Sequence, residues 1–256
     1  TIVELGTPLL GRALDAAAAG IVQRAVEEAG VRVVTGRTVA RVLGPRPRGR
    51  AVARVALDDG SEMPCDLLVI AIGVRPRIEV VAGTGIAVQR GIVVDRQMAT
   101  SCPGVYACGD VAEAYDFIAG SNRLTPIWPN AYLGGRIAGR NMAGRETVYT
   151  GGTAMNSLHT FGLSIMSAGV VEPPGGEQGY QVLLRDERGQ GTYRKIVLLG
   201  RRVVGMIFAG DVDRAGIVFG LMRSGTPVAG FEERLLADDL GLLSLPREIW
   251  EHMVRS

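Results

Sequence analysis

The stretch Thr100-Ser101-Cys102-Pro103-Gly104-Val105-Tyr106-Ala107-Cys108-Gly109-Asp110 decides how this chain is read. A short apolar run, Val105 to Cys108, leads straight into Gly-Asp, and a strand that ends in this way delivers a carboxylate at its carboxyl end, where open α/β sheets bind their ligands. Glycine at 109 removes a side chain from the path of an approaching ligand, and Asp110 can accept hydrogen bonds from ribose or ribitol hydroxyls. The same dipeptide also serves as a plain strand-terminating turn, and the stretch alone leaves both roles open.

A second element of the same kind lies upstream. Cys65-Asp66-Leu67-Leu68-Val69-Ile70-Ala71-Ile72-Gly73-Val74-Arg75-Pro76 reads as a strand ending in glycine, with Leu67 to Ile72 apolar enough for burial on both faces. Around these two runs the pattern is mixed. Thr1 to Glu4 reads as the end of a buried strand, followed by a helix carrying Leu14, Ile21, Val22 and Ala25 at helical spacing and stopped by Gly30. Val31 to Thr35, Thr38 to Leu43 and Val52 to Leu57 read as strands, the last running into the turn Asp58-Asp59-Gly60. Gly91 to Asp95 and Val105 to Cys108 are further strands. Asn130 to Met142 is a helix rich in small residues, with Pro129 close to the first helical position where proline is favoured. From about Gly151 short strands dominate, Leu163 to Ser167, Tyr180 to Leu184, Thr192 to Leu199 and Val203 to Ala209. Helices follow near Asp213 to Met222 and Arg247 to Val254, a succession that suggests a separate α+β domain.

The paired motifs resemble those of two-dinucleotide-fold flavoproteins, the pyridine nucleotide-disulfide oxidoreductase superfamily. In that family a Thr-x4-apolar run-Gly-Asp motif holds the ribityl chain of FAD, and its fixed positions stand here as Thr100, Gly109 and Asp110. The run Trp128-Pro129-Asn130-Ala131-Tyr132-Leu133-Gly134-Gly135 resembles the start of the family's helix after Gly-Asp. The resemblance implies that Trp128, Asn130 and Ala131 lie against the flavin, with free helix N–H groups facing its pyrimidine edge; Trp128 serves equally well as simple packing. It also implies that Glu4 holds the adenosine ribose hydroxyls of NAD and, by repelling a 2′-phosphate, favours NADH over NADPH. A surface glutamate at a strand end is the alternative. Gly73 then lets NAD approach closely, or only terminates its strand. The C-terminal part is similar to the family's interface domain, and Tyr193 to Val197 with Gly225 to Val228 resembles the branch of NADH oxidases and NAD(P)H-nitrite reductases.

The fold expected is therefore α/β: an incomplete two-dinucleotide-binding, Rossmann-like region followed by an α+β interface domain. The boundaries expected are 1–84 for a partial NAD-binding domain, 85–148 for the C-terminal part of an FAD-binding domain and 149–256 for an interface or dimerisation domain. No GxGxxG occurs, since Gly83-Thr84-Gly85-Ile86-Ala87-Val88 lacks the third glycine. In the family one such loop precedes the acidic position by about 20 residues and another opens the FAD domain. The chain is thus expected to be the C-terminal part of a longer flavoenzyme, completed by its N-terminal part or by a symmetry mate, and to form a homodimer. The activity implied is hydride transfer from NADH to FAD and onward to an acceptor that nothing here selects. Two alternatives stay open: a non-catalytic assembly module that binds no cofactor by itself, and a NAD-binding sensor without flavin, which the intact Gly109-Asp110 motif disfavours.

Bulk properties exclude other classes. Of 256 residues 47% are apolar and 21% charged, ordinary for a soluble globular protein. No apolar run reaches membrane-span length and no signal peptide is visible, so a cytoplasmic protein is expected. A net charge of +2 gives no concentrated basic face for nucleic acid, and Arg46-Pro47-Arg48-Gly49-Arg50 reads as a loop between strands. Lys195 is the sole lysine. Cys65, Cys102 and Cys108 lack metal-ligand spacing and read as structural thiols; His159 and His252 stand without a local carboxylate or nucleophile. Asp211 and Asp213 precede a helix and are expected to cap it.

Overall fold

The computed structural model describes residues 1–45, 51–175 and 179–255, and these described residues form four sheets and four α-helices. The loop expected at Arg46 to Arg50 lies outside the described residues.

The first unit begins with β1 (Ile2–Glu4), α1 (Ala16–Glu28) and β2 (Val33–Thr35), and β1 pairs with β2 in parallel, Glu4 opposite Thr35. Asp15 caps α1 by accepting the Ala18 N–H at 2.9 Å, and Ala18, Ile21, Val22 and Val26 recur on one buried face. At the other end the Val31 N–H reaches back to the Val26 carbonyl at 3.1 Å around Gly30, a Schellman-type closure. An antiparallel meander follows: β3 (Val39–Leu43), β4 (Arg54–Leu57) and β5 (Glu62–Pro64), with Asp58 and Asp59 binding the Thr38 and Ser61 N–H groups across the turn.

The apolar run after β5 departs from its expected place in a sheet. Residues 67–74 form no strand, and Leu67, Val69, Ile70 and Ile72 are 81%, 75%, 69% and 92% exposed. Its composition suits a strand covered on both faces, yet among the described residues no strand pairs with it, so the hydrophobic pattern has no structure to satisfy.

The second unit holds β6 (Ile92–Val93), β7 (Ala112–Asp116), β8 (Ser121–Leu124) and α2 (Trp128–Met142). β6 runs parallel to β7, and β8 returns antiparallel to it. The strand expected at Val105 to Cys108 is reduced to one bridge, Ala99 with Tyr106. β7 and β8, on the far side of Gly-Asp, carry Glu113, Asp116, Asn122 and Arg123 and lack the apolar run that marks a strand in sequence.

The third unit is a five-stranded antiparallel sheet in the order β11 (Tyr180–Glu187), β12 (Thr192–Leu199), β13 (Arg202–Ala209), β10 (Leu163–Gly169), β9 (Met155–Thr160). α3 (Ala215–Ser224) and α4 (Arg247–Arg255) follow. Alternation divides the central strands cleanly. Ile196, Leu198, Met206 and Phe208 pack against Val218, Leu221, Met222 and Ile249 of the C-terminal helices. Tyr193, Ile207 and Ala209 face the other way and meet α1. Phe208 is fully enclosed, and burying such a side chain contributes about 1.5–3 kcal/mol. The first crossover helix is thereby sandwiched between β2 and the C-terminal sheet. Asp211 and Asp213 do not cap α3, which starts at Ala215 without a side-chain cap; Asp211 instead binds the Arg194 guanidinium and the Asp213 N–H.

Candidate functional site

The Gly-Asp stretch is set by local hydrogen bonds. Thr100 accepts the Cys102 N–H at 3.2 Å and its own N–H donates to the Val105 carbonyl at 2.9 Å, which closes the turn through Pro103 and Gly104. The Ala107 N–H then donates to the Met98 carbonyl at 3.1 Å. Gly109 follows with φ at +78°, a left-handed conformation that favours glycine, and starts a single 3₁₀ turn through Val111. This turn packs on the first turn of α2: a Cβ at Gly109 would stand 4.0 Å from the Ala131 Cβ.

Asp110 is exposed, and no described residue donates to its carboxylate. Beside it α2 begins without a side-chain cap, its N-cap position held by Ile127 and Pro129 in its first turn. An uncapped helix start leaves N–H groups and partial positive charge free for an anion or an electron-rich ring edge. The cavity behind Gly109, lined by Met98, Ala112, Asn130, Gly134 and Tyr149, encloses about 20 Å³, room for roughly one water. A larger ligand therefore meets Asp110 from the solvent side.

Asn130 also braces the helix start. Its amide donates to the carbonyls of Thr125 and Thr153 at 3.3 and 3.4 Å, tying the helix start to the segment after β8 and to the chain entering β9. Trp128 is the first residue of α2 and 78% exposed, stacked on Tyr132 with ring centroids 5.7 Å apart and planes 15° from parallel; Arg136 stands 5.9 Å over the Tyr132 ring. It packs against its own helix and leaves its outer face bare.

Several residues that build the floor carry no sequence signal of their own. Asp116, buried, accepts the Ile118 and Ala119 N–H groups, and Thr153 donates to its other oxygen. Arg96 donates to the Tyr149 carbonyl at 2.6 Å and lies 3.9 Å from the Tyr115 ring centre. Burial first, and the Asp116 carboxylate second, push the Tyr149 phenol above its ordinary value, so it stays protonated. Cys108 packs on α2, its Cβ 3.5 Å from where a Cβ at Gly134 would stand, in keeping with a structural thiol.

The structure thus brings Gly109, Asp110, Trp128, Asn130 and Ala131 to one locus. Glu4 and Gly73 stand elsewhere. Glu4 ends β1, where its Oε1 accepts the Gly6 N–H at 2.7 Å, which leaves Oε2 free. Gly73, with φ at +94° and nothing within 4 Å of an added Cβ, lies in the exposed apolar run. Among the described residues no cluster of metal-ligating side chains occurs, the cysteines are free, and no helix is long and apolar enough to cross a membrane. His159, exposed, contacts only the Ser164 hydroxyl, at 2.9 Å, among the described hydrogen bonds. The donor set fits FAD at the second unit: an unpartnered carboxylate for ribityl hydroxyls, and an uncapped helix start for the electron-rich edge of the ring.

Comparison with known proteins identifies the family. The family model described as pyridine nucleotide-disulphide oxidoreductase matches residues 1–135, and that of the rubredoxin NAD+ reductase C-terminal domain matches residues 155–226. The NADH-dependent phenylglyoxylate dehydrogenase subunit epsilon of Aromatoleum evansii is 31% identical over 94% of this chain and 56% of its own. A nitrite reductase [NAD(P)H] of Bacillus subtilis is 29% identical over 90% of this chain and 27% of its own. Among solved structures, the covalent putidaredoxin reductase–putidaredoxin complex superposes with a TM-score of 0.78 at 20% identity, covering 99% of this chain and 57% of the matched one, a likeness of fold. The chain spans about half, or less, of the length of these relatives.

Proposed function

For a chain that belongs to the pyridine nucleotide-disulphide oxidoreductase family, we propose a part in passing hydride from NADH to FAD and electrons onward to an acceptor such as a disulfide, dioxygen or a small electron-transfer protein. The observation that carries the reading is the exposed, unpartnered Asp110 carboxylate held by Gly109 against the uncapped start of α2.

Asp110 accepts hydrogen bonds from ribityl hydroxyls. The start of α2, near Ala131, faces the flavin's pyrimidine edge and stabilises the negative charge of the reduced ring by roughly 0.3–2 kcal/mol. Trp128 offers its bare face beside the ring. Asn130 holds the helix start in place from behind. Hydride acceptance and electron release are the chemistry that FAD supplies when bound. Glu4, steadied by Gly6, accepts from the adenosine ribose hydroxyls of NADH through its free oxygen and disfavours NADPH by repelling a 2′-phosphate. Gly73 gives the nucleotide room.

The remainder of the flavoenzyme, in this reading, covers the apolar residues 67–74 and supplies the glycine-rich loops. The exposure of that run and the share of the relatives' length that this chain spans both support the assignment. A cytoplasmic homodimer is the assembly that goes with it.

The visible spectrum of the purified chain, then anaerobic addition of NADH, tests the reading. A bound flavin band that bleaches with NADH and less readily with NADPH supports it. A colourless chain that does not take up FAD even beside its N-terminal complement points to an assembly module instead.

A further inference from the structure

The sole lysine of the chain is buried in a charged cluster that joins its two ends. Lys195 on β12, its side chain 9% exposed, donates to Asp15 Oδ2 and to Glu172 Oε2, each at 2.9 Å. The Tyr193 hydroxyl donates to the same Asp15 oxygen at 2.5 Å, while Asp15 Oδ1 caps α1 through the Ala18 N–H. The Asp15 carboxylate thus accepts one hydrogen bond on Oδ1 and two on Oδ2. Burial alone would lower the ammonium's proton affinity, but the two carboxylates outweigh it and hold Lys195 charged.

Stability alone does not account for the cluster. Buried ion pairs are poor stabilisers, and apolar residues of similar volume hold a helix on a sheet as well or better. What they supply is direction. The face that α1 lays on the C-terminal sheet is built largely of Ala18, Ala19, Ile21 and Val22, and apolar contacts of this kind carry no direction of their own. A hydrogen-bonded charge at the first turn does. The loop 5–14, which leads from Glu4 to Asp15, is packed into the same interface through Leu9 and Leu14, both nearly fully buried. Its Gly6 N–H in turn orients the Glu4 carboxylate.

We propose that Lys195 is a positioning residue for nucleotide binding: by pinning Asp15 at the start of α1 to the C-terminal sheet, it fixes the loop that aims Glu4 at the adenosine ribose. The inference rests on the role given above to Glu4.

Steady-state kinetics of the FAD-loaded flavoenzyme test it, using Asp15→Asn, Lys195→Met and the double variant. Asparagine keeps the helix cap, so Asp15→Asn loses the charge and not the helix start. Each single variant is expected to raise KM for NADH roughly tenfold while kcat at saturating NADH stays within about twofold, the signature of lost binding rather than lost chemistry. The flavin spectrum is expected to stay unchanged, and the double variant to be no worse than the poorer single one, because both break one contact. Unchanged KM in a folded Asp15→Asn protein overturns the proposal, as do additive effects or a fall in kcat alone. Should Lys195→Met not fold, Asp15→Asn carries the test by itself. A wild-type enzyme that shows no saturable dependence on NADH overturns the NADH reading and the proposal with it; a saturable wild type with indifferent variants overturns the proposal only.

Discussion

Two glycine-to-alanine changes at one contact should move stability in opposite directions. Gly109 and Gly134 both lie against the junction of the Gly-Asp turn with α2, and at neither does an added methyl group meet a forbidden contact. The nearest atom is the Ala131 Cβ at 4.0 Å for Gly109, and the Cys108 Cβ and Met98 Sδ at 3.5 Å for Gly134. Backbone conformation therefore decides the outcome. Gly109 sits at φ +78°, where an L-residue costs about 1–2 kcal/mol. Gly134 is in the interior of α2, where alanine gains roughly 0.5–1 kcal/mol over glycine. At about 2–4 °C per kcal/mol for a chain of this size, Gly109→Ala should lower Tm by about 2–8 °C and Gly134→Ala should raise it by about 1–4 °C. The assay is a thermal melt followed by tryptophan fluorescence and, on the FAD-loaded protein, by release of flavin fluorescence. The flavin trace should move with Gly109→Ala at least as far as the protein trace, because the strained turn carries Asp110. Gly109→Ala melting with the wild type, or Gly134→Ala losing as much stability as Gly109→Ala, would refute the account, since packing and not backbone would then control the junction.

Asp110→Ala should weaken FAD retention, read as loss of the visible flavin band on gel filtration; retention equal to wild type would remove Asp110 from the ribityl contact. Glu4→Ala should erase the preference for NADH over NADPH, and an unaltered ratio of kcat/KM values would remove Glu4 from the ribose. Acid stability should respond to Asp15. Burial pushes its carboxyl up, but the Ala18 N–H, the Tyr193 hydroxyl and Lys195 together outweigh burial and hold it below its ordinary value. A carboxylate depressed in the folded state contributes stability above about pH 4 that is lost as pH falls through the folded value, so Asp15→Asn should flatten the acid limb of the Tm against pH curve. Parallel acid limbs for the two proteins would contradict this.

Much of the architecture was legible because its elements bury themselves locally. Thr192 to Leu199 alternates between two covered faces and was bounded to the residue, α1 follows from helical spacing stopped by Gly30, and α2 from a run rich in small residues beside Pro129. The Gly109-Asp110 turn was legible because an apolar run leads straight into a glycine, and Gly109 sits at φ +78°, where glycine is favoured. Other parts were opaque for physical reasons. β7 and β8 owe their pairing to neighbours and to buried polar groups such as Asp116, so they lack the apolar signature of a strand. Residues 67–74 carry that signature without the pairing, because hydrophobic pattern reports what a segment needs and not what stands next to it. Asp211 looked like a cap because of its place before α3; its partner Arg194 is 17 residues away, beyond the reach of local pattern. The tie between Lys195 and Asp15 spans 180 positions, and a lone lysine in an arginine-rich chain was its only trace.

The bare apolar run has a consequence for how this chain behaves in isolation. A stretch with exposed Leu67, Val69, Ile70 and Ile72 and unpaired backbone is a template for strand addition and a signal to chaperones and proteases that survey for such surfaces. Copies whose run stays uncovered are exposed to aggregation and clearance, while covered copies escape both. Taken by itself, the chain is thus expected to self-associate through residues 67–74 as its concentration rises, and a polar replacement of Ile72 should delay that onset.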